Sequence, residues 1–354
     1  MYDMISIIGA GPVGNYLAYL LAKSGYKVEV YEDHNQIGCP IQCTGIVTST
    51  IKQLMDMNQD FLVNTVSRIR IYSPDNNFIE IKMKDLNYIV DRTKFDSYFA
   101  KKAKKLGVKY NLGWKFLDFK NGVMKFNKGE KKTDVLVGAD GPNSIVARSS
   151  GLYNKQEIVY GLQARLKIKH DPDLVDTFLI EGGFGWVVPE NSKICRVGLV
   201  SNNPKKYNLK WFTSKFGDKI VDYQSGPIPV FSSSLKTCKD NVYLVGDAAG
   251  MVKATTAGGI IQGMMAAEEL VKSIKFKKNY NRLWKKRVGR ELFVGKLIRN
   301  KLDRLSEMDL NELIRLASSE KVKDLLANVD RDYPSRILIG LLFREPRFLK
   351  FAFK

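Results

Sequence analysis

Gly9-Ala10-Gly11-Pro12-Val13-Gly14 follows the apolar run Met4-Ile-Ser-Ile-Ile8 and leads into Asn15–Ser24, where Leu17, Leu20 and Leu21 recur at helical spacing. Gly25 ends that helix, and Lys27-Val-Glu-Val-Tyr31 alternates as a strand does. The passage predicts a βαβ unit with a glycine-rich turn between its first strand and its helix. Each glycine has a physical task there. Gly9 permits the tight turn, Gly11 lets the backbone approach a pyrophosphate, and Gly14 lets the helix pack closely. Pro12 and Val13 begin the helix, whose free N–H groups point at the phosphate. Glu32, 18 residues beyond Gly14 at the end of the second strand, suits ribose hydroxyls, with Asp33 beside it. A glycine-rich turn without a ligand is the plainer alternative; strand, helix and acidic residue in these places favour a dinucleotide site.

Outward from this unit, Arg68-Ile-Arg-Ile-Tyr72 and Phe78-Ile-Glu-Ile-Lys82 flank Asp75-Asn76-Asn77 and read as a hairpin. Phe95 to Leu106 has helical character, and Lys131 to Val137 leads into a strand that stops at Gly138-Ala139-Asp140-Gly141. Short strands with turn signals follow from Val159 to Ser201, as in an antiparallel sheet. Asn241–Val245 returns to a buried strand, and the chain is helical from Gly259 and basic after Lys272. The expected domains are therefore discontinuous. Residues 1–65, 91–155 and 238–280 form the dinucleotide domain, 66–90 and 156–237 the sheet domain, and 281–354 a basic helical region.

Lys and Arg outnumber Asp and Glu by 57 to 37, a net charge of +20. Val271–Lys354 holds 22 basic and 10 acidic residues, so +12 of that excess lies there. Such a field attracts nucleic acid or anionic headgroups, although a lysine-rich composition without a partner reads the same way. No nucleic-acid recognition motif accompanies the charge, so nucleic acid is not an expected partner. The longest apolar stretch, Ile337–Phe343, is far short of the ~20 residues that span a bilayer. The N-terminus lacks the basic lead-in of a signal peptide, so a cytoplasmic protein is expected. Cys39, Cys43, Cys195 and Cys238 make neither a disulfide framework nor a zinc site, and two histidines, His34 and His170, exclude a His-rich metal site.

Two further segments extend the first motif. Gly138-Ala-Asp140-Gly141-Pro-Asn-Ser144, with Arg148 after it, resembles the second fingerprint of flavoprotein hydroxylases, and Val245-Gly-Asp247-Ala248-Ala249-Gly250 resembles their third. Asp247 is placed to bind a ribitol chain. Gly258-Gly259-Ile260 begins a helix whose N–H groups can face a flavin pyrimidine edge and stabilise the negative charge of reduced flavin. Three such segments in this order imply FAD. Arg92, in Val90-Asp-Arg92-Thr-Lys-Phe-Asp96, matches an arginine that reaches the cofactor in this group; the alternative is a surface pair with Asp96.

Ile37-Gly-Cys-Pro-Ile-Gln-Cys43-Thr44-Gly45 is similar to the cysteine-bearing loop of the geranylgeranyl reductase family, and Phe184-Gly-Trp186-Val-Val-Pro189 to its Tyr-x-Trp-x-Phe-Pro-Lys motif. The third fingerprint, Gly246 to Ile260, also looks like that family's. The match runs from Met1 to about Leu270, nearest in pattern to the archaeal reductases that saturate the isoprenoid chains of ether lipids. Phe184, Val188 and Glu190 stand where the motif has tyrosine, phenylalanine and lysine; Ala254 replaces a proline and Ala257 a glycine.

The resemblance implies an α/β protein: a Rossmann-type FAD-binding domain of the p-hydroxybenzoate hydroxylase-like type, an inserted antiparallel-sheet substrate domain, and a C-terminal helical region. It places Cys43, Thr44 and Ile46 against the cofactor, Cys43 being the candidate for a catalytic thiol, and Phe184, Trp186 and Pro189 on the wall of a substrate cavity. A buried, inert cysteine and ordinary sheet aromatics are the plainer readings. A prenylated lipid is the implied substrate. The implied donor is a reduced nicotinamide, ferredoxin or deazaflavin, and peripheral contact with an anionic membrane is expected. Two rivals share the fold: a flavin monooxygenase or halogenase acting on an aromatic substrate, and a non-catalytic prenyl-binding protein of the Rab escort type.

Overall fold

The computed structural model describes residues 3–153 and 156–354; the domain boundary expected at residue 155 lies outside them. The chain forms two compact units, each from three separated segments. The first comprises Met1–Ile41, Arg92–Ile158 and Ile228–Phe293, the second Gln42–Asp91, Val159–Pro227 and Val294–Lys354.

In the first unit a six-stranded sheet has the order Cys238–Lys239, Val242–Leu244, Val135–Gly138, Ile5–Ile8, Val28–Glu32, Lys109–Leu112. All neighbours are parallel except the edge pair Cys238–Lys239 and Val242–Leu244. The central strands are buried on both faces, Ile5, Ile7, Val135 and Val137 on one and Ser6, Ile8 and Leu136 on the other, as strands covered by helices must be. Ile8 pairs with both Tyr31 and Gly138, which sets the carboxyl ends of three strands level. Ligands of open α/β sheets bind at that edge. Helix Pro12–Lys23 packs on helix Arg92–Lys105 through Tyr16 and Phe99, ring centroids 4.8 Å apart. A three-stranded meander, Phe116–Lys120, Val123–Phe126 and Gly129–Lys132, seats Phe126 on Tyr31 with the rings stacked at 4.5 Å.

The second unit is built on an eight-stranded sheet, ordered Ile220–Pro229, Ile158–Lys167, Ile194–Ser201, Gly183–Pro189, Leu174–Ile180, Leu62–Tyr72, Phe78–Val90, Ile46–Val47. Antiparallel pairing prevails, as expected, but Leu174–Ile180 runs parallel to Leu62–Tyr72. These strands come from distant segments, so no hairpin dictates their sense.

The domain cut also differs from that expected. Residues 42–65 join the sheet unit, because Ile46–Val47 pairs with Phe78–Val90. Residues 294–354 are no separate region: Ile314, Ala317 and Val322 bury their side chains on Ile79 and Ile81. Residues 281–293 stay with the dinucleotide unit, anchored by buried Trp284, whose Nε1 donates to Thr237 Oγ1 at 2.8 Å. Among the described residues no helix is long and apolar enough to cross a membrane.

Candidate cofactor and substrate sites

At the carboxyl edge of the first sheet, Gly9 adopts φ +102°, and its N–H donates to Tyr31 O at 2.8 Å. A Cβ on Gly9 would lie 2.3 Å from Ala139 O, and one on Gly14 2.2 Å from Gly9 O. Neither position has room for a side chain. Gly11 is different: a Cβ there meets nothing within 4 Å, and the same holds at Gly141, so open space borders both turns. Pro12 opens the helix and Gly11 caps it without a side chain, leaving the first-turn N–H groups for a ligand. Glu32 accepts from Ala10 N at 2.7 Å and from His34 N at 3.1 Å, while His34 Nδ1 lies 2.7 Å from both Glu32 Oε1 and Asp33 Oδ1. Burial, with Asp33 close by, pushes the Glu32 carboxyl above its ordinary value against the pull of those N–H groups. Sequence reading missed Asn15, a buried amide that donates to Ala10 O at 2.6 Å and Asp96 O at 2.9 Å and so ties the glycine turn to the next helix.

The other fingerprints use their acids differently. Asp140 is engaged by its own loop: Ser144 Oγ donates to it at 2.6 Å, and the N–H groups of Ile145 and Val146 at 2.8 and 3.1 Å. Ser144 is the N-cap of helix Ile145–Ser149, and Asp140 takes up the first two N–H groups beside it and shapes the loop, so its carboxylate is not idle. Asp247 has no side-chain hydrogen bond among the described residues. It sits in the short turn Gly246–Ala249 with Ala248, and its Oδ1 is 2.8 Å from where a Cβ on Gly259 would stand. Arg92 forms the bidentate pair with Asp96, at 2.9 and 2.8 Å. The pair is not on the surface, its side chains being 15% and 3% exposed, and the Arg92 charge also reaches Asp247. Helix Ile260–Phe276 starts beside Asp247, and Lys253, buried and unnoticed in the sequence, holds its Nζ 3.7 Å from the Cβ position of Gly258.

Burial pushes the Asp247 carboxyl up from 3.8 to about 6, with Arg92 pulling the other way. The folded value lies above the unfolded one, so the fold disfavours the ionised form. Apoprotein stability should fall as pH rises through this interval. Asp247→Asn removes the fall: relative to wild type it should gain about 1–3 kcal/mol near pH 7 and nothing near pH 4, read by urea unfolding of the apoprotein. An equal change at both pH values would assign the effect to something other than ionisation.

A pyrophosphate needs open space against free N–H groups, and a ribitol needs an unused acceptor. Gly11 and Asp247 provide these, and Thr256 adds a buried hydroxyl without a partner among the described residues. The first unit thus fits a flavin dinucleotide.

In the second unit, Phe184 and Trp186 project from one face of strand Gly183–Pro189, ring centroids 5.7 Å apart. Pro189 falls on the opposite face by strand alternation, pairing with the core residue Cys195, so the structure separates it from the two aromatics. Trp186 and Ile46 pack on the same cluster, Val66, Ile89, Val175 and Val188. Thr44 is held twice. Its hydroxyl donates to Gln163 Oε1 at 2.7 Å, and its carbonyl accepts from Arg196, which also reaches Val90 O at 3.2 Å. Arg196 and Arg165 share the Glu190 carboxylate at 2.7 and 2.8 Å. Burial alone would raise that carboxyl; the Arg165 hydrogen bonds and the Arg196 charge hold it below the usual range. Cys43 is partly buried, and its Sγ accepts from Gly45 N at 3.3 Å.

The chain matches the description of an NAD(P)-binding Rossmann-like domain over residues 7–45. The digeranylgeranylglycerophospholipid reductase of Methanocaldococcus jannaschii is 26% identical, over 99% of this chain and 97% of that one. An uncharacterized protein of the same organism is 31% identical, over 96% and 95%. A geranylgeranyl bacteriochlorophyll reductase-like protein from Thermoplasma acidophilum has a solved structure that superposes with a TM-score of 0.86 at 25% identity, covering 99% of this chain and 98% of that one.

Proposed function

The chain belongs to the geranylgeranyl reductase family of FAD-dependent oxidoreductases, and from that premise we propose that it saturates isoprenoid double bonds of ether membrane lipids or their precursors. The observation that carries this reading is the reach of the match. A named lipid reductase aligns over 99% of the chain, so the likeness includes the sheet unit and not the dinucleotide turn alone. FAD, when bound, supplies a hydride from N5; the electrons come from an external donor.

The chain's own residues bind and orient. The helix N-terminus at Gly11–Gly14 takes the pyrophosphate, Glu32 takes ribose hydroxyls, and Asp247 accepts from the ribitol. The N–H groups at Gly258–Ile260 favour negative charge on the reduced ring. Cys43, Thr44 and Ile46 enter as cofactor contacts through the family resemblance of their loop. Phe184 and Trp186 offer apolar surface to a prenyl chain. Peripheral membrane contact is supported by Leu338, Ile339 and Phe343, exposed on helix Pro334–Arg344 beside Arg336 and Arg344.

One experiment tests the reading. The purified protein is reduced with dithionite and incubated without oxygen with anionic vesicles carrying digeranylgeranylglycerophospholipid, and the lipid is weighed by mass spectrometry. A flavin spectrum, a gain of hydrogen pairs in the lipid, and at least about tenfold weaker vesicle flotation when Leu338, Ile339 and Phe343 become serine are expected. A colourless protein that rejects FAD, or a product formed only with oxygen, would overturn the activity; unchanged flotation would remove the membrane contact.

A further inference from the structure

Gln163, Gly198 and Trp186 stand directly opposite one another on three adjacent strands, Gln163 paired with Gly198 and Gly198 with Trp186. The glycine leaves a gap in the middle of this row. A Cβ on Gly198 would lie 2.5 Å from Gln163 Cβ and 2.6 Å from both Leu162 O and Trp186 Cζ2, so any side chain there would press on the neighbouring strand and push the indole away. Across the gap, Trp186 Nε1 donates to Gln163 Oε1 at 3.2 Å.

An indole N–H can only donate, so it fixes which end of the Gln163 amide faces Trp186. The same oxygen accepts from Thr44 Oγ1, and the amide nitrogen donates to Gln224 Oε1. Both lone pairs of Oε1 are then in use, and Gln163 is only 4% exposed. Gln163 Oε1 is closed to further donors.

We propose that Gln163 is a positioning residue that sets selectivity for the length of the prenyl chain, by locking the Trp186 indole across Gly198. This rests on the proposed lipid activity and deepens it. Buried amide and indole groups are costly to leave unpaired, so the ring has one favoured orientation on this face. Thr44, in the loop after Cys43, shares the same oxygen, so loop and indole are held by one group. With its N–H paired to Gln163, the indole offers hydrocarbon to an isoprenoid from one fixed place, so chains of different length meet it at different points.

The test compares wild type with Gln163→Leu, Gly198→Ala, Trp186→Phe and Gln163→Leu/Trp186→Phe. Each is assayed on glycerophospholipids bearing geranylgeranyl or the shorter farnesyl chains. Gln163→Leu and Gly198→Ala should each shift the ratio of kcat/KM between the two lipids by about tenfold in the same direction, measured per bound flavin. In the Trp186→Phe background Gln163→Leu should add no further shift. Unaltered ratios in both single variants, or a full-sized effect of Gln163→Leu without Trp186, would overturn the proposal. The emission contributed by Trp186, taken as the difference from Trp186→Phe, must also change in Gln163→Leu. If wild type binds FAD but reduces neither lipid, the activity is what fails, and unchanged Trp186 emission would then overturn the indole lock on its own.

Discussion

Substituting leucine for Gly11 should give a folded protein that binds FAD at least about a hundredfold more weakly, a loss of roughly 3 kcal/mol. The space beside Gly11 is free of protein atoms to 4 Å, so the fold can accept the side chain. What it cannot accept is a leucine and a pyrophosphate together at the helix N-terminus. Gly14→Ala is the counterpart. Its methyl group would fall 2.2 Å from the carbonyl oxygen of Gly9, and relief requires the helix to move off its own turn. That variant should lose stability as well as flavin. Equilibrium dialysis with FAD and urea unfolding of both proteins separate the two effects. Full FAD affinity in Gly11→Leu would remove the pyrophosphate from this turn.

Glu190→Ala should cost about 3–5 kcal/mol, the usual penalty for removing one partner of a buried ion pair. Glu190 is 8% exposed and Arg196 9%, and without the carboxylate Arg165 keeps Asp222 while Arg196 is left with carbonyl partners alone. Glu190→Gln keeps the shape and part of the hydrogen bonding, so it should cost less. Because Arg196 also holds the Thr44 carbonyl, the consequence reaches the Cys43 loop. Hydrogen exchange over residues 42–46 should quicken in Glu190→Ala more than the global loss of stability requires. Equal protection of that loop in both proteins would show that Arg196 holds it without help from Glu190.

Legibility in the sequence followed locality. Gly9, Gly11 and Gly14 were readable because their demands, a positive φ, an open approach and a close packing distance, arise within a few residues. The Arg92–Asp96 pair was readable for the same reason, being four residues apart on one helix. Gln163 was not. A glutamine in a strand has no periodic mark, and its partners lie at residues 44, 186 and 224. Glu190 could be seen only as a departure from a motif lysine; the two arginines that explain it come from other strands. The hold of Asp140 on Ser144, Ile145 and Val146 was not legible, because a fingerprint acid and an acid that ties off a helix start look alike in one dimension. The parallel pairing of Leu174–Ile180 with Leu62–Tyr72 lay beyond any local signal.

The interleaving of segments bears on how this chain is made. Strand Val135–Gly138 must wait for Val242–Leu244, and Leu62–Tyr72 for Leu174–Ile180, before either sheet has its interior neighbours. On a ribosome both half-built sheets would therefore expose unpaired edges over much of synthesis, the situation in which strands associate with the wrong partner. Closing such long loops before the contacts reward it also slows folding in solution. Neither unit can be released by cutting the chain at one point, so halves expressed separately should aggregate where the intact chain folds.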